Sequence, residues 1–440
     1  MRRYLILLCA FISLAINAQK VSESEAFAKA QKFMGDKKLK APRSMTRGEQ
    51  VSKPYYIFNA EDENGCIIIS GDERLPEVLA YSKEESIDED NIPEGLKELI
   101  PILCGDGEVD INDYSLIPSE YVPRNTTPIE PLFDYIWSQF YPFNNDCPTI
   151  YPDREDERYR QACVGCVPRS VASVMNYFRY PKSVDAFETS IAIEMPNDTG
   201  ATRYDVSVPY TEFKWDLIRG EIFKFNNPWS EEERNAVAEL CYHVGCAFKV
   251  AYRQKGTYTN GTQEWVNFED VMKSIYKYEE AKLIKGDIIK HWNEDGITYT
   301  NEYYELPDED YWNFLDSYLE RGIPVVTSGG SHSFVLNGRD ERGMYYYNEI
   351  KFYVIMQPSL WRKIGTYGAL IKNNYFLHLL AFVPPKEHTY RYTPTAINST
   401  EVNRFNDGSV YNLQGQKVGD TLDGLPKGVY IIDGKKHVVK

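Results

Sequence analysis

The chain has 440 residues, enough for two or three folded units at roughly 150 residues each. It is 42% hydrophobic and 26% charged, which excludes a wholly disordered chain and a multi-span membrane protein. With 49 basic against 65 acidic residues the net charge is −16, which argues against a nucleic-acid partner, because phosphate contacts need a basic face.

Met1 to Gln19 opens with Arg2 and Arg3, continues as an apolar run from Leu5 to Ala15, and offers a small residue at Ala18. The run is too short to span a bilayer. The pattern predicts a secretory signal peptide over residues 1–18, and hence a secreted or cell-surface protein; the other reading is a short anchor helix. Seven cysteines follow it, an odd number, so at least one is unpaired or pairs between chains. They are too sparse for a disulfide-built scaffold, and the core must come from ordinary burial.

Residues 22–36 carry apolar side chains at helical spacing after a Ser-rich start. Tyr55–Asn59 and Cys66–Ser70 are short apolar runs around an Asn64-Gly65 turn, which predicts a hairpin. An acidic loop follows, then a short helix expected over 96–103 and interrupted by Pro101. Residues 105–128 lack periodicity and hold Gly, Asp, Asn and Pro, as a linker does, so a small α+β unit is expected to end near residue 125.

In the largest stretch, Cys166 to Phe178 places Val167, Val171, Val174, Met175 and Phe178 on one helical face, with Pro168 in the first turn and Pro181 stopping the pattern. Ser230 and Glu233 have capping-box spacing ahead of a helix over 230–246. A further helix is expected over 308–321, ended by Gly322, and then three strands: 323–328, 332–336 and 344–348. Helices first and antiparallel strands later predict an α+β fold rather than a doubly wound sheet. The last fifty residues are short alternating strands between Gly turns, a small all-β module.

The six histidines show no HExxH pair and no cluster, so a metal hydrolase finds little support. Cys163 and Cys166 form a CxxC, but the second half of a zinc site is absent and no thioredoxin-like strand precedes it. Cys166 stands at a helix start after Gly165, where the positive end of the dipole and unpaired N–H groups favour thiolate. A base would come from elsewhere in the chain. His332 opens a strand after Gly329-Gly330-Ser331; His243 sits mid-helix among apolar neighbours and suits a structural place. Asn348 ends the next strand, placed to orient an imidazole across a hairpin. Gln139 and Gln161 each lie ahead of the cysteine and offer an amide for an oxyanion hole.

These residues resemble those of the streptopain family of papain-like cysteine peptidases. Val164-Gly165-Cys166-Val167 followed by SVMNYFRYP is similar to the family's nucleophile helix, TGCVA and a stretch ending QIMKYHNYP. WSQFYPFN at 137–144 resembles its WNQ…PYN, which selects Gln139 as the oxyanion glutamine. Ser331-His332-Ser333-Phe334-Val335 resembles its GHAFV, and the histidine-to-asparagine interval lands on Asn348. The stretch 55–82 looks like the family's inhibitory prodomain, and about 395–440 resembles the sorting domains of proteins exported by the type IX route.

The resemblance implies a signal peptide at 1–18, an inhibitory prodomain at 19–125, a papain-like peptidase domain at 126–390 and a C-terminal β sorting domain at 391–440. It implies a secreted endopeptidase made as a zymogen, with catalytic Cys166, His332, Asn348 and Gln139 and no metal or cofactor. Its partners would be protein or peptide substrates and its own prodomain as intramolecular inhibitor, with cell-surface attachment through the C-terminal domain. One departure bears on activity. The family's Asn-Trp-Gly-Trp-Gly is Asn348-Glu349-Ile350-Lys351-Phe352 here, and a carboxylate in place of the shielding tryptophan either stabilises imidazolium or admits water. The alternative is therefore a weak or inactive relative that binds peptides or another protease.

Overall fold

The computed structural model describes residues 20–42, 53–73, 75–89, 92, 96–97, 100, 125–197, 200–220, 228–254, 257–258, 267–285, 287–292, 299–304, 308–329, 332–355, 378–388, 410–412, 417–419, 421, 428–432 and 435–439. The chain separates into two compact units, residues 1–390 and 391–440.

In the first unit, helix α1 (Glu23–Met34) starts where expected. The Ser22 hydroxyl accepts the Glu25 N–H at 3.3 Å, and Glu23 and Glu25 occupy the positive end of the helix dipole. Gly35 stops it at φ 63°. Its apolar side covers strands β1 (Tyr55–Asn59) and β2 (Cys66–Ser70), with Phe27 edge-on to Phe58 at 5.4 Å. The two strands form the expected hairpin, in register from Tyr55↔Ser70 to Asn59↔Cys66. Gly65 is required in its turn: φ is 108°, and a Cβ there would lie 2.8 Å from the Ser82 carbonyl.

These strands and β3 (Val78–Ser82) do not stand apart. Six further strands complete one sheet with them: β4 (Glu280–Lys285), β5 (Val325–Gly329), β6 (His332–Arg339), β7 (Tyr345–Tyr347), β8 (Phe352–Val354) and β9 (His378–Val383). The order is β1-β2-β3-β8-β7-β6-β5-β9-β4, antiparallel at every junction. The N-terminal strands therefore extend the sheet of the following region, through Tyr81↔Tyr353 and Ala80↔Val354. Ile355 N–H donates to Leu79 O across that junction at 3.3 Å. The linker expected over 105–128 and the helix over 96–103 lie largely outside the described residues.

Helix α2 (Cys166–Phe178) has the predicted bounds and packs on β5, β6 and helix α3 (Glu231–Ala247). Nearly all of α2 is buried, which follows from its position between the sheet and α3. The predicted capping box at α3 is present: Glu233 N–H donates to the Ser230 hydroxyl at 3.2 Å, and the Ser230 N–H to the Glu233 carboxylate at 2.7 Å. Helix α4 (Asp308–Leu319) is followed by Gly322 at φ 71°, and the three predicted strands after it are β5, β6 and β7.

The sequence pattern did not reveal the sheet of Phe187–Ile193, Thr202–Val208, Ala251–Tyr252 and Thr257–Tyr258. Thr202–Val208 is mostly exposed, so it carries no apolar alternation, and Ala251–Tyr252 is only two residues long. The second unit is the expected small all-β module. Its antiparallel strands run in the order Lys417–Gly419, Val410–Asn412, Gly428–Ile432, Lys435–Val439.

Candidate active site

Gly165 is the N-cap of α2 at φ 92°, ψ 152°, a conformation that side-chain-bearing residues rarely adopt. It turns the chain so that Cys166 is the first helical residue. No side chain caps this end and no acidic residue lies in its first turn, so the positive end of the dipole acts on Cys166 uncompensated.

An extended segment delivers Gln139 to the same place. It is pinned along its length: Ile129 pairs with Arg339, Leu132 N–H donates to Asn337 O at 2.9 Å, and Asn337 Nδ2 donates to Phe133 O at 2.7 Å. Phe133, Tyr135 and Trp137 alternate into the core, and Tyr135 Oη donates to Ser173 O on α2 at 2.5 Å. The segment ends with Gln139 O accepting the Val164 N–H at 2.9 Å, two residues ahead of Cys166. The Gln139 Oε1 atom is buried without a hydrogen-bond partner. Gln161, the other candidate amide, is instead bridged to Thr149.

His332 is buried at the start of β6, and β6 packs on α2, so the imidazole and the thiol meet. Burial alone would push the Cys166 thiol up. The hydrogen bond and charge of His332, then the Arg169 charge and a backbone hydrogen bond from Ser333, outweigh it and hold the thiol below its ordinary value of 9.0. Cys66, Cys147, Cys241 and Cys246 behave oppositely: burial pushes each up, Cys66 and Cys246 to about 12.

The bond to the far side of the imidazole is not the one expected. Asn348 does not hold it: Asn348 Nδ2 donates to Tyr135 O at 2.9 Å, and its Oδ1 has no hydrogen-bond partner. His332 Nε2 is instead 3.0 Å from Glu349 Oε2. The reason is local geometry. Asn348–Ile350 is a single 3₁₀ turn closed by Lys351 in the left-handed region at φ 55°. Within that turn Asn348 faces the Phe133–Trp137 segment and Glu349 faces the ring.

Glu349 carries two further donors. Tyr347 Oη donates to its Oε2 at 3.0 Å, and the Arg169 guanidinium lies 2.5 Å from its Oε1. Arg169 is one turn along α2 from Cys166, is buried, and also donates to Ser333 O at 2.9 Å. Burial would raise the Glu349 carboxyl, but the Arg169 charge and the His332 hydrogen bond win and take it down to about 2. A cavity of about 20 Å³, room for roughly one water molecule, is lined by Trp137, Arg169, Asn348 and Glu349 among others.

Arg169 and Tyr347 were not singled out in the sequence. A signal existed: Arg169 is a basic residue on a helix otherwise almost free of charge, and an acidic residue, Glu349, stands where the resembled family has tryptophan. Neither Cys163 nor Cys166 forms a disulfide, and the Cys163 thiol donates to Arg253 O at 3.4 Å. His243 is buried with its Nδ1 3.0 Å from Tyr276 Oη, and burial lowers it to about 4. No cluster of three metal-ligating side chains occurs among the described residues.

Residues 18–103 match the Spi protease inhibitor and residues 137–352 match the peptidase C10 family. The segment 137–352 belongs to the peptidase C10 family. Streptopain of Streptococcus pyogenes serotype M1 is 22% identical over 317 residues, covering 68% of this chain and 72% of streptopain. The thiol protease/hemagglutinin PrtT of Porphyromonas gingivalis is 21% identical over 403 residues. That alignment covers 86% of this chain, which spans only 40% of the Porphyromonas protein. A solved fragment of prointerpain A from Prevotella intermedia superposes with a TM-score of 0.55 at 20% identity, covering 77% of this chain and 98% of the fragment. At that identity the likeness speaks for the fold, and the fold is that of a papain-like C10 peptidase preceded by an inhibitor-like prodomain.

Proposed function

We propose that the chain is a cysteine endopeptidase made as a zymogen and exported from the cell. The observation that carries this reading is Cys166: a buried thiol beside the His332 imidazole that, unlike buried Cys66, Cys147, Cys241 and Cys246, is held below its ordinary value. Thiolate at Cys166 attacks the carbonyl carbon of a peptide bond, and His332 carries the proton. The tetrahedral oxyanion is received by the Cys166 N–H and the Gln139 amide, each donor contributing about 3 kcal/mol. His332 then protonates the leaving amine, and water hydrolyses the acyl-enzyme. In this scheme Asn348 secures Tyr135, and through it the segment that ends at Gln139.

The prodomain acts as intramolecular inhibitor in this reading. Its support is the Spi-type match and the place where the prodomain attaches: Ser82 Oγ donates to Lys351 O at 2.9 Å, two residues beyond Glu349. Export rests on the pattern of residues 1–18, and surface attachment on the β module of residues 391–440. The placement of Asn348 away from the ring favours a second reading, an inactive relative that binds peptides or a protease. Glu349 on that ring nitrogen argues for the first.

Iodoacetamide labelling with peptide mapping, once the prodomain has been removed, separates the two. An active peptidase labels first at Cys166, cleaves labelled casein, and loses both in Cys166→Ala. Slow labelling spread over several cysteines, with no casein cleavage, sinks the peptidase reading.

A further inference from the structure

We infer that Glu349, not Asn348, is the group that orients the catalytic imidazole, and that Arg169 is a positioning residue that keeps this carboxylate charged and aimed. The inference rests on the peptidase reading and gives it a Cys166–His332–Glu349 line in place of a Cys–His–Asn one.

The geometry assigns each atom a task. A His bound through Nε2 to a carboxylate oxygen at 3.0 Å keeps its other nitrogen for the thiol. The Glu349 Oε2 atom also takes the Tyr347 hydroxyl at 3.0 Å, which fixes it laterally. The Oε1 atom takes the Arg169 guanidinium at 2.5 Å, and Arg169 is itself tied to Ser333 O, the residue after His332. Carboxylate, guanidinium and ring therefore form a closed circuit spanning α2, β6, β7 and the 3₁₀ turn. A lone carboxylate this buried would favour its neutral form; a buried arginine opposite it removes that tendency. A carboxylate also does what an asparagine cannot: it gives imidazolium a counter-charge. Among the described residues, the charged and titratable groups facing Glu349 are His332 from β6, Tyr347 from β7 and Arg169 from α2, with Cys166 beyond the ring.

Two measurements test this. The first needs no activity. In full-length chain carrying Cys166→Ala, histidine side-chain NMR follows the titration of the His332 ring in that background and with Glu349→Gln or Asn348→Ala added. Glu349→Gln moves the titration at least one pH unit lower, and Asn348→Ala moves it by less than a third of a unit. The reverse pattern, or no movement in either, overturns the inference whether or not the protein is a peptidase. The second is the pH profile of kcat/KM on labelled casein. Glu349→Gln shortens the alkaline limb by losing imidazolium sooner. Arg169→Met raises the acid limb, and Arg169→Lys restores most of it. The Arg169→Met shift must shrink in the Glu349→Gln background. An equal shift in both backgrounds would mean that Arg169 acts on Cys166 directly and not through Glu349. Absence of casein cleavage by the unsubstituted chain after removal of its prodomain would count against the peptidase reading alone.

Discussion

Besides its backbone pairing, the junction between prodomain and peptidase holds one buried side-chain hydroxyl. Tyr81 lies on β3, and its Oη donates to Asp340 Oδ2 at 2.5 Å, with both side chains buried. Asp340 also accepts the Arg342 N–H at 3.0 Å and the Met344 N–H at 2.7 Å. Tyr81→Phe keeps the ring contacts, stacked on Tyr353 at 5.2 Å and edge-on to Phe33 at 5.1 Å; it removes one of the hydrogen bonds to a buried carboxylate, together with the weaker bond that Tyr81 Oη accepts from Arg342 Nη1 at 3.3 Å. A hydrogen bond to a charged group contributes about 1.5–3 kcal/mol. At about 1.4 kcal/mol per tenfold, the β3–β8 junction should open about 10- to 150-fold more often. The assay is hydrogen exchange on the full chain with Cys166→Ala, which blocks self-cleavage. The Ile355 N–H, bonded to Leu79 O across the junction, reports the opening directly. It should exchange faster by that factor, while amides of the β5–β6 pair should not change. Exchange at Ile355 altered by less than about threefold would refute the assignment of Tyr81 as the anchor; equal acceleration throughout the sheet would show global destabilisation instead.

Three further outcomes follow from the same contacts. His332→Ala removes the leading influences that lower the Cys166 thiol and leaves burial, so the rise of Cys166 alkylation with pH should move to higher pH; an unmoved profile would exclude the imidazole as the cause. Glu349 is held near 2 in the fold against an ordinary 4.5. A carboxyl lowered on folding stabilises above its unfolded value, so a contribution of about 3 kcal/mol should be lost as pH falls from 4.5 toward 2, and urea unfolding of Glu349→Gln should show a flatter acid limb. Gly245→Ala in α3 would place a Cβ 2.0 Å from the Tyr252 hydroxyl. Helix propensity predicts a gain of about 1 kcal/mol, overpacking a loss of about 1–3 kcal/mol, and thermal unfolding should show a net loss that Tyr252→Phe relieves.

What the sequence determined by itself was local. The Ser-rich start at Ser22, Ser230 with Glu233, and Gly322 mark helix ends because caps act within one turn, and α1, α3 and α4 fall close to where those residues put them. The Cys166 helix was legible because a glycine, a thiol and an apolar stripe are all contained in the consecutive residues 165–178. The local context of His332 made it the candidate base, but its pairing with Cys166 was specified by the resemblance, since 166 positions separate them. Tertiary structure alone decided the rest. Whether Asn348 or Glu349 reaches the ring depends on one 3₁₀ turn, in which a step of one residue exchanges the side chain facing Tyr135 for the one facing His332. Arg169 meets Glu349 across 180 positions because α2 lies on β6, and a buried charge is tolerated only where the fold supplies its partner. The same holds for the union of β3 with β8: each edge reads as an ordinary apolar strand, and backbone pairing between them carries no signature in either segment.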